Sequence, residues 1–189
     1  FDENGFTTLS AALEAVPAGG TVLLAAGTYS EGVTIKKDVT ILGPKAGINP
    51  SVKGANATDD WTRNPERGSG EAVLTTSWHV GINANNKAVY DCHNVTFDGM
   101  AVSGAGMFRS NYGAAGNITL TYKNMLVYGY TTNNNGPFYC YSYYPDKAVN
   151  DYSRNLICEN IRFEGMTTAP GFNLTVDNFV KNFVCILQN

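Results

Sequence analysis

The residues of this chain best equipped for chemistry are the carboxylates Asp91, Asp98, Glu159 and Glu164, interspersed with Arg109, Lys123 and Arg162. Two carboxylates facing one another can break a glycosidic bond by acid/base catalysis, and a carboxylate cluster holding calcium beside a basic residue can drive proton abstraction. Either reaction requires the groups on one wall. The interval from Asp98 to Glu159 follows no regular repeat that would bring them there, and solvated wall positions account for all seven residues. No catalytic residue is therefore assigned.

Other reactive types give the same answer. Asp59, Asp60 and Glu66 are oxygen donors for calcium, but their spacing lacks the alternation of a calcium loop, so no resident cofactor is expected. His79 and His93 have no i,i+4 partner for zinc, and neither Ser77 nor Ser103 sits in a nucleophile-elbow pattern. Cys92, Cys140, Cys158 and Cys185 form no CxxC pair; they suit disulfides outside the cell or, as the apolar strand contexts favour, buried free thiols. Asn56, Asn94, Asn117 and Asn173 each begin an Asn-x-Thr sequon; at strand starts such asparagines can equally bond neighbouring backbone.

Residues suited to binding gather in two stretches. Residues 44–70 hold Trp61, Arg63 and Arg67 among Asn, Asp, Pro and Gly, and a stretch this long without strand rhythm is expected to project from the body and carry function. Residues 130–154 hold Phe138, Tyr139, Tyr141, Tyr143, Tyr144 and Tyr152. Tyrosine rings present an apolar face with a polar edge, suited to stacking on sugars or meeting another protein, or to packing a loop on the body beneath it.

Short strands must position these groups. Val22/Leu24, Val33/Ile35 and Val39/Ile41 alternate with polar or small residues, and the pattern returns at Val95/Phe97, Ile118/Leu120, Met125/Val127, Leu156 and Ile161/Phe163. Such short runs bury a face only by stacking on one another, which predicts an all-β solenoid with one apolar column inside. Residues 6–17 read as an amphipathic helix with Phe6, Leu9, Leu13 and Val16 on one side, Thr7 or Thr8 as N-cap and Pro17 beyond it, closing one end. At the other end Phe179 to Asn189 is apolar and strand-like. The expectation there is that the chain continues or that a neighbouring chain covers the last coil, allowing end-to-end association.

The opening resembles a known family. Phe6-Thr7-Thr8-Leu9, Val16-Pro17-Ala18-Gly19-Gly20-Thr21-Val22, Gly27-Thr28-Tyr29 and Val39-Thr40-Ile41-Leu42-Gly43 resemble the start of a right-handed parallel β-helix of the pectate-lyase-like superfamily. Gly43-Pro44-Lys45-Ala46-Gly47-Ile48-Asn49-Pro50, Arg67 and Glu71-Ala72-Val73-Leu74 resemble its secreted and surface-anchored bacterial members. The resemblance covers about the first 75 residues and implies a fold and a carbohydrate-rich setting. The paired-Asp and Gly-His-Gly patterns of polygalacturonases and the Gln/Asp/Asp/Arg constellation of pectin methylesterases do not occur, so no catalytic role carries over.

The totals bound the reading. A chain of 189 residues, 43% hydrophobic and 15% charged with 20 glycines, can bury the core of a single turn-rich domain. A net charge of −3 without a basic stripe excludes nucleic acid as an expected partner, and no apolar run approaches bilayer length. The expectation is a secreted or cell-surface, non-catalytic module that binds a polysaccharide, a glycoconjugate or a protein through its long loops. The alternatives are a polysaccharide lyase with an incomplete site and a phage tail or fibre component.

Overall fold

The computed structural model describes residues 5–54, 61–81, 90–111, 118–131, 135–141, 152–166, 171–175 and 180–188. In chain order the elements are α1 (Leu9–Ala15), β1 (Gly20–Leu23), β2 (Gly27–Tyr29), β3 (Thr34–Ile35), β4 (Val39–Leu42), β5 (Ser51–Lys53), β6 (Trp61–Arg63), a 3-10 turn (Pro65–Arg67), β7 (Ala72–Leu74) and β8 (Ser77–Val80). There follow β9 (Asn94–Asp98), β10 (Ala101–Gly104), β11 (Met107–Asn111), β12 (Ile118–Tyr130), β13 (Phe138–Tyr141), β14 (Tyr152–Glu164), β15 (Phe172–Thr175) and β16 (Val180–Gln188). None of the described helices is long and apolar enough to cross a membrane.

Nine strands form one sheet. Its path runs β1-β4-β9-β12-β10-β7-β2, with β14 and β16 added beyond β12. A second sheet of five runs β15-β13-β11-β8-β3, and β5 and β6 make an antiparallel hairpin. Every pairing within the two larger sheets is parallel.

The large sheet is forked. The first half of β12 pairs with β9 and its second half with β10, so one arm carries β1, β4 and β9 and the other β2, β7 and β10. This corrects the expected right-handed parallel β-helix, a solenoid of stacked rungs around one apolar column: the described strands make one bent, half-closed sheet that is continuous through the 13-residue strands β12 and β14, with a smaller sheet facing it. Asparagine explains the bend, because its short polar side chain tolerates the left-handed backbone that a corner needs. Asn124 turns β12 at φ 50° and Asn160 turns β14 at φ 54°. One strand earlier the corner is Gly99, at φ 70°.

The core lies between the sheets. Inward alternation places Val22, Ile41, Phe97, Tyr122 and Cys158 on one side, and Val33, Trp78, Phe108 and Phe138 on the other, all buried. Their rings interlock: Trp78 meets Phe108 edge-on at 5.9 Å, Phe97 stacks on Tyr122 at 5.3 Å, and Phe108 stacks on Phe138 at 5.9 Å. Each large side chain buried this way contributes about 1.5–3 kcal/mol, and ring pairing adds to it.

The opening helix is shorter than residues 6–17. Thr8 is its N-cap, its Oγ1 accepting from Ala11 N at 3.2 Å, and Leu9 and Leu13 are buried while Phe6 lies outside the helix and is exposed. Glu31 holds its start by accepting from Leu9 N and Ser10 Oγ, and Lys37 Nζ donates to the Glu14 and Val16 carbonyls at its end.

The described residues at both ends of the stretch 44–70 are tied to the body of the molecule. Asp98 Oδ1 accepts from Gly47 N at 3.1 Å, and Arg67 is wholly buried at the root of the stretch. The guanidinium of Arg67 grips both Glu71 carboxylate oxygens, at 2.6 and 3.1 Å, and donates to the carbonyls of Ile48, Met100 and Asn124. A buried cation is tolerated only when paired and fully bonded, and here all its donors are directed at acceptors. The stretch is thereby bolted across the corner. Asn49 then extends a run of side-chain amides: Asn49 donates to Asn160, Asn160 to Asn124, and Asn124 to Asp98, at 3.1, 2.9 and 2.7 Å.

Candidate functional site

The smaller sheet carries a row of polar residues in strand register. In β8, β11 and β13 the sequence places one polar residue between two buried ones: Trp78-His79-Val80, Phe108-Arg109-Ser110 and Phe138-Tyr139-Cys140. Strand alternation turns those middle residues outward. Parallel register aligns them, Thr34 opposite His79, His79 opposite Arg109, and Arg109 opposite Tyr139. The row continues to Asn173 in the backbone pairing of β15.

These side chains interact along the row. The Arg109 guanidinium lies 5.8 Å from the centre of the Tyr139 ring, a cation–π stack that steadies a half-buried aromatic face. Burial, and then the positive charge of Arg109, hold the His79 imidazole below its ordinary pKa, so its neutral form is favoured. A flat ring beside a fixed cation and a neutral imidazole can stack on a sugar face while bonding its hydroxyl or acidic substituents.

A second exposed patch lies on the hairpin. Trp61 is 41% exposed and Arg63 is exposed with it. Arg63 approaches Glu164 at 3.8 Å, Arg162 binds the same carboxylate at 2.6 Å, and Arg162 also donates to the Trp61 carbonyl at 3.1 Å. The patch borders the end of β14 in the large sheet, whereas Tyr139 stands on the small one.

The remaining sequence candidates scatter. Arg67 is an internal tether rather than a ligand contact, and Phe138 is core, each wholly buried. Tyr141 ends β13 with its side chain outside the described residues, and Tyr143, Tyr144, Asp59 and Asp60 also fall outside them. Glu66 is exposed in the 3-10 turn, where its N–H is capped by Asn64. Among the described residues no group of His, Cys, Asp and Glu could hold a metal ion.

The carboxylates considered for catalysis are likewise dispersed. Asp91 bonds His93 at 2.7 Å on an exposed turn, Asp98 ends the amide run, Glu159 pairs with Lys123 at 3.0 Å, and Glu164 serves Arg162. Cys92, Cys140 and Cys158 are buried, and burial pushes the Cys92 thiol up to about 12, leaving it inert as a nucleophile. Asn94 is exposed and donates to Asp38; Asn56 and Asn117 lie outside the described residues, as does the side chain of Asn173.

His79 gives no zinc signal; the buried-polar-buried triplets mark it, Arg109 and Tyr139 as outward strand residues, and the strand register then brings the three together. No family model matches the chain, and neither a curated protein nor a solved structure does.

Proposed function

We propose that this chain is a non-catalytic, secreted or cell-surface module that binds a polysaccharide or glycoconjugate on the outer face of its five-stranded sheet. The observation that carries the reading is the Arg109–Tyr139 stack, set in register beside His79 on paired strands. Strand pairing fixes the spacing of these side chains at about 4.8 Å, so little ordering entropy is lost when a chain of sugars lies along them. The patch of Trp61 and Arg63 offers a second contact for the same ligand or for a protein.

Retention on immobilised polysaccharides tests the proposal. Tyr139→Ala is expected to weaken retention about tenfold or more, the size of one lost aromatic stacking contact, and Trp61→Ala less. Unchanged retention in Tyr139→Ala would remove the five-stranded face from the reading. Release of unsaturated sugars during the incubation would favour the lyase alternative.

A further inference from the structure

We infer that the groove between α1 and the outer edge of β1 receives an extended, uncharged segment of a partner protein, which adds to the nine-stranded sheet as a further strand. The groove shares no residue with the face proposed above to bind carbohydrate, so the two readings stand or fall separately.

The backbone prepares this edge. β1 ends the path of the sheet and, among the described strands, pairs with β4 alone. Leu24 N donates to the Leu42 carbonyl at 2.8 Å, so Val22 and Leu24 turn their main-chain groups to β4, and those of Thr21 and Leu23 point the other way. Among the described residues the N–H and C=O groups of Thr21 and Leu23 meet no partner. An open edge is a pairing hazard that proteins blunt with charge or proline. At the edge of the smaller sheet, β3 is followed at once by Lys36 and Lys37; β1, reading Gly20-Thr21-Val22-Leu23 and followed by Leu24-Ala25-Ala26, carries no such guard.

The groove supplies the side-chain sites, with a volume of 610 Å³. Five consecutive residues, Thr21 to Ala25, line one wall; a stretch that showed the groove only one face would line it with every second residue, so the wall is the edge itself. Leu9, Ala12 and Val16, from α1 and its C-cap, line the opposite wall, joined by Phe6. Phe6 and Leu23 are 49% and 76% exposed, two of the three large hydrophobic side chains exposed among the described residues. No charged residue lines the groove, so a charged side chain entering it would lose water without gaining a partner. An extended apolar segment lying between a helix and a sheet edge gains main-chain bonds from the edge and burial from its alternate side chains. A second copy of the chain fits less well, because its own β1 edge is flanked by its own α1.

Amide hydrogen exchange followed by NMR tests the edge directly. The probe is an end-blocked heptapeptide of alternating threonine and valine, with a copy carrying lysine in place of valine and two copies N-methylated at alternate amides, one in each register. Binding is expected to slow exchange at Thr21 and Leu23 about tenfold or more, while Val22, already turned to β4, is unchanged. The lysine copy is expected to bind about tenfold more weakly or worse. One methylated copy is expected to lose binding and the other to keep it, because only alternate amides of an added strand face β1. Ala12→Arg fills the groove from the helix, and Thr21→Pro removes an edge N–H that β4 does not use; each is expected to weaken binding about tenfold or more, with exchange in the core unchanged. If the peptide leaves Thr21 and Leu23 exchanging freely, protects another edge instead, or binds alike in both methylated copies, the inference is overturned. It also falls if Thr21 and Leu23 become protected without peptide as the protein concentration rises, which would make a second copy the occupant. Binding of dodecanoate in the groove where the peptide does not bind would sink it as well, making the site one for a small apolar molecule.

Discussion

At the scale of single residues, the described part of the interior includes a polar group with nothing to bond. The Tyr122 hydroxyl is buried without a hydrogen-bond partner, and burial, then the neighbouring Cys140 and Cys158, raise its pKa well above the usual phenol value. An unmade hydrogen bond in the core costs about 1–3 kcal/mol, so Tyr122→Phe, which keeps the ring stack on Phe97, is expected to be neutral or stabilising by about 1 kcal/mol. Urea denaturation checks this. Gly99 is the opposite case. A Cβ there would meet Ala46 N at 1.8 Å, and the φ of 70° adds a left-handed penalty of about 1–2 kcal/mol to that clash. Gly99→Ala is expected to lower the denaturation midpoint sharply, whereas Gly104→Ala, at φ 59° with nothing nearby, pays the backbone penalty alone.

At the scale of elements, the stretch of residues 44–70 depends on one guanidinium. Arg67→Ala would leave Glu71 charged and buried and three carbonyls short of a donor, a loss of about 3–5 kcal/mol. The expected result is loss of protection from hydrogen exchange in the β5–β6 hairpin and at the corner of β12, and a lower melting temperature. How much of this was legible beforehand differs by element. The inward alternation of Val22, Ile41, Phe97 and Leu120 was plain in the sequence, because burial on one face leaves a period of two. So were Leu9 and Leu13 on the buried face of α1, while the cap stayed open between Thr7 and Thr8 until the Oγ1 bond of Thr8 decided it. The fork was not, because Asn124 and Asn160 look like strand breaks until their left-handed backbone lets β12 and β14 run on through the bend. Arg67 was misread for a related reason: an arginine among Asn, Pro and Gly looks solvated, and only the distant carbonyls of Met100 and Asn124 show it as internal. Of the candidate site, Tyr139 and Arg109 were visible separately; their juxtaposition with His79 depends on a register between strands about thirty residues apart.

For the whole molecule, acid acts through two groups of opposite kind. His79 has a depressed folded pKa, so the unfolded chain binds its proton more readily; the contribution of the neutral ring is intact above the ordinary histidine value of about 6.5 and is lost as the pH falls toward the folded value. At Asp38 burial favours the neutral acid, but bonds from Asn94 and His93 outweigh it and lower the pKa. Its contribution is present above the ordinary carboxylate value and disappears below it. Stability is therefore expected to decline in two separate steps on acidification, with the upper step absent in His79→Gln when melting is followed across pH. The amide run from Asn49 to Asp98 has a consequence on a slower clock. All three of its carboxamides donate in one direction, down to a carboxylate. Spontaneous deamidation of Asn124 would exchange a donor for a second negative charge facing Asp98, so the age of a preparation would be written at this corner, where prolonged storage converts the tie between distant segments into a repulsion.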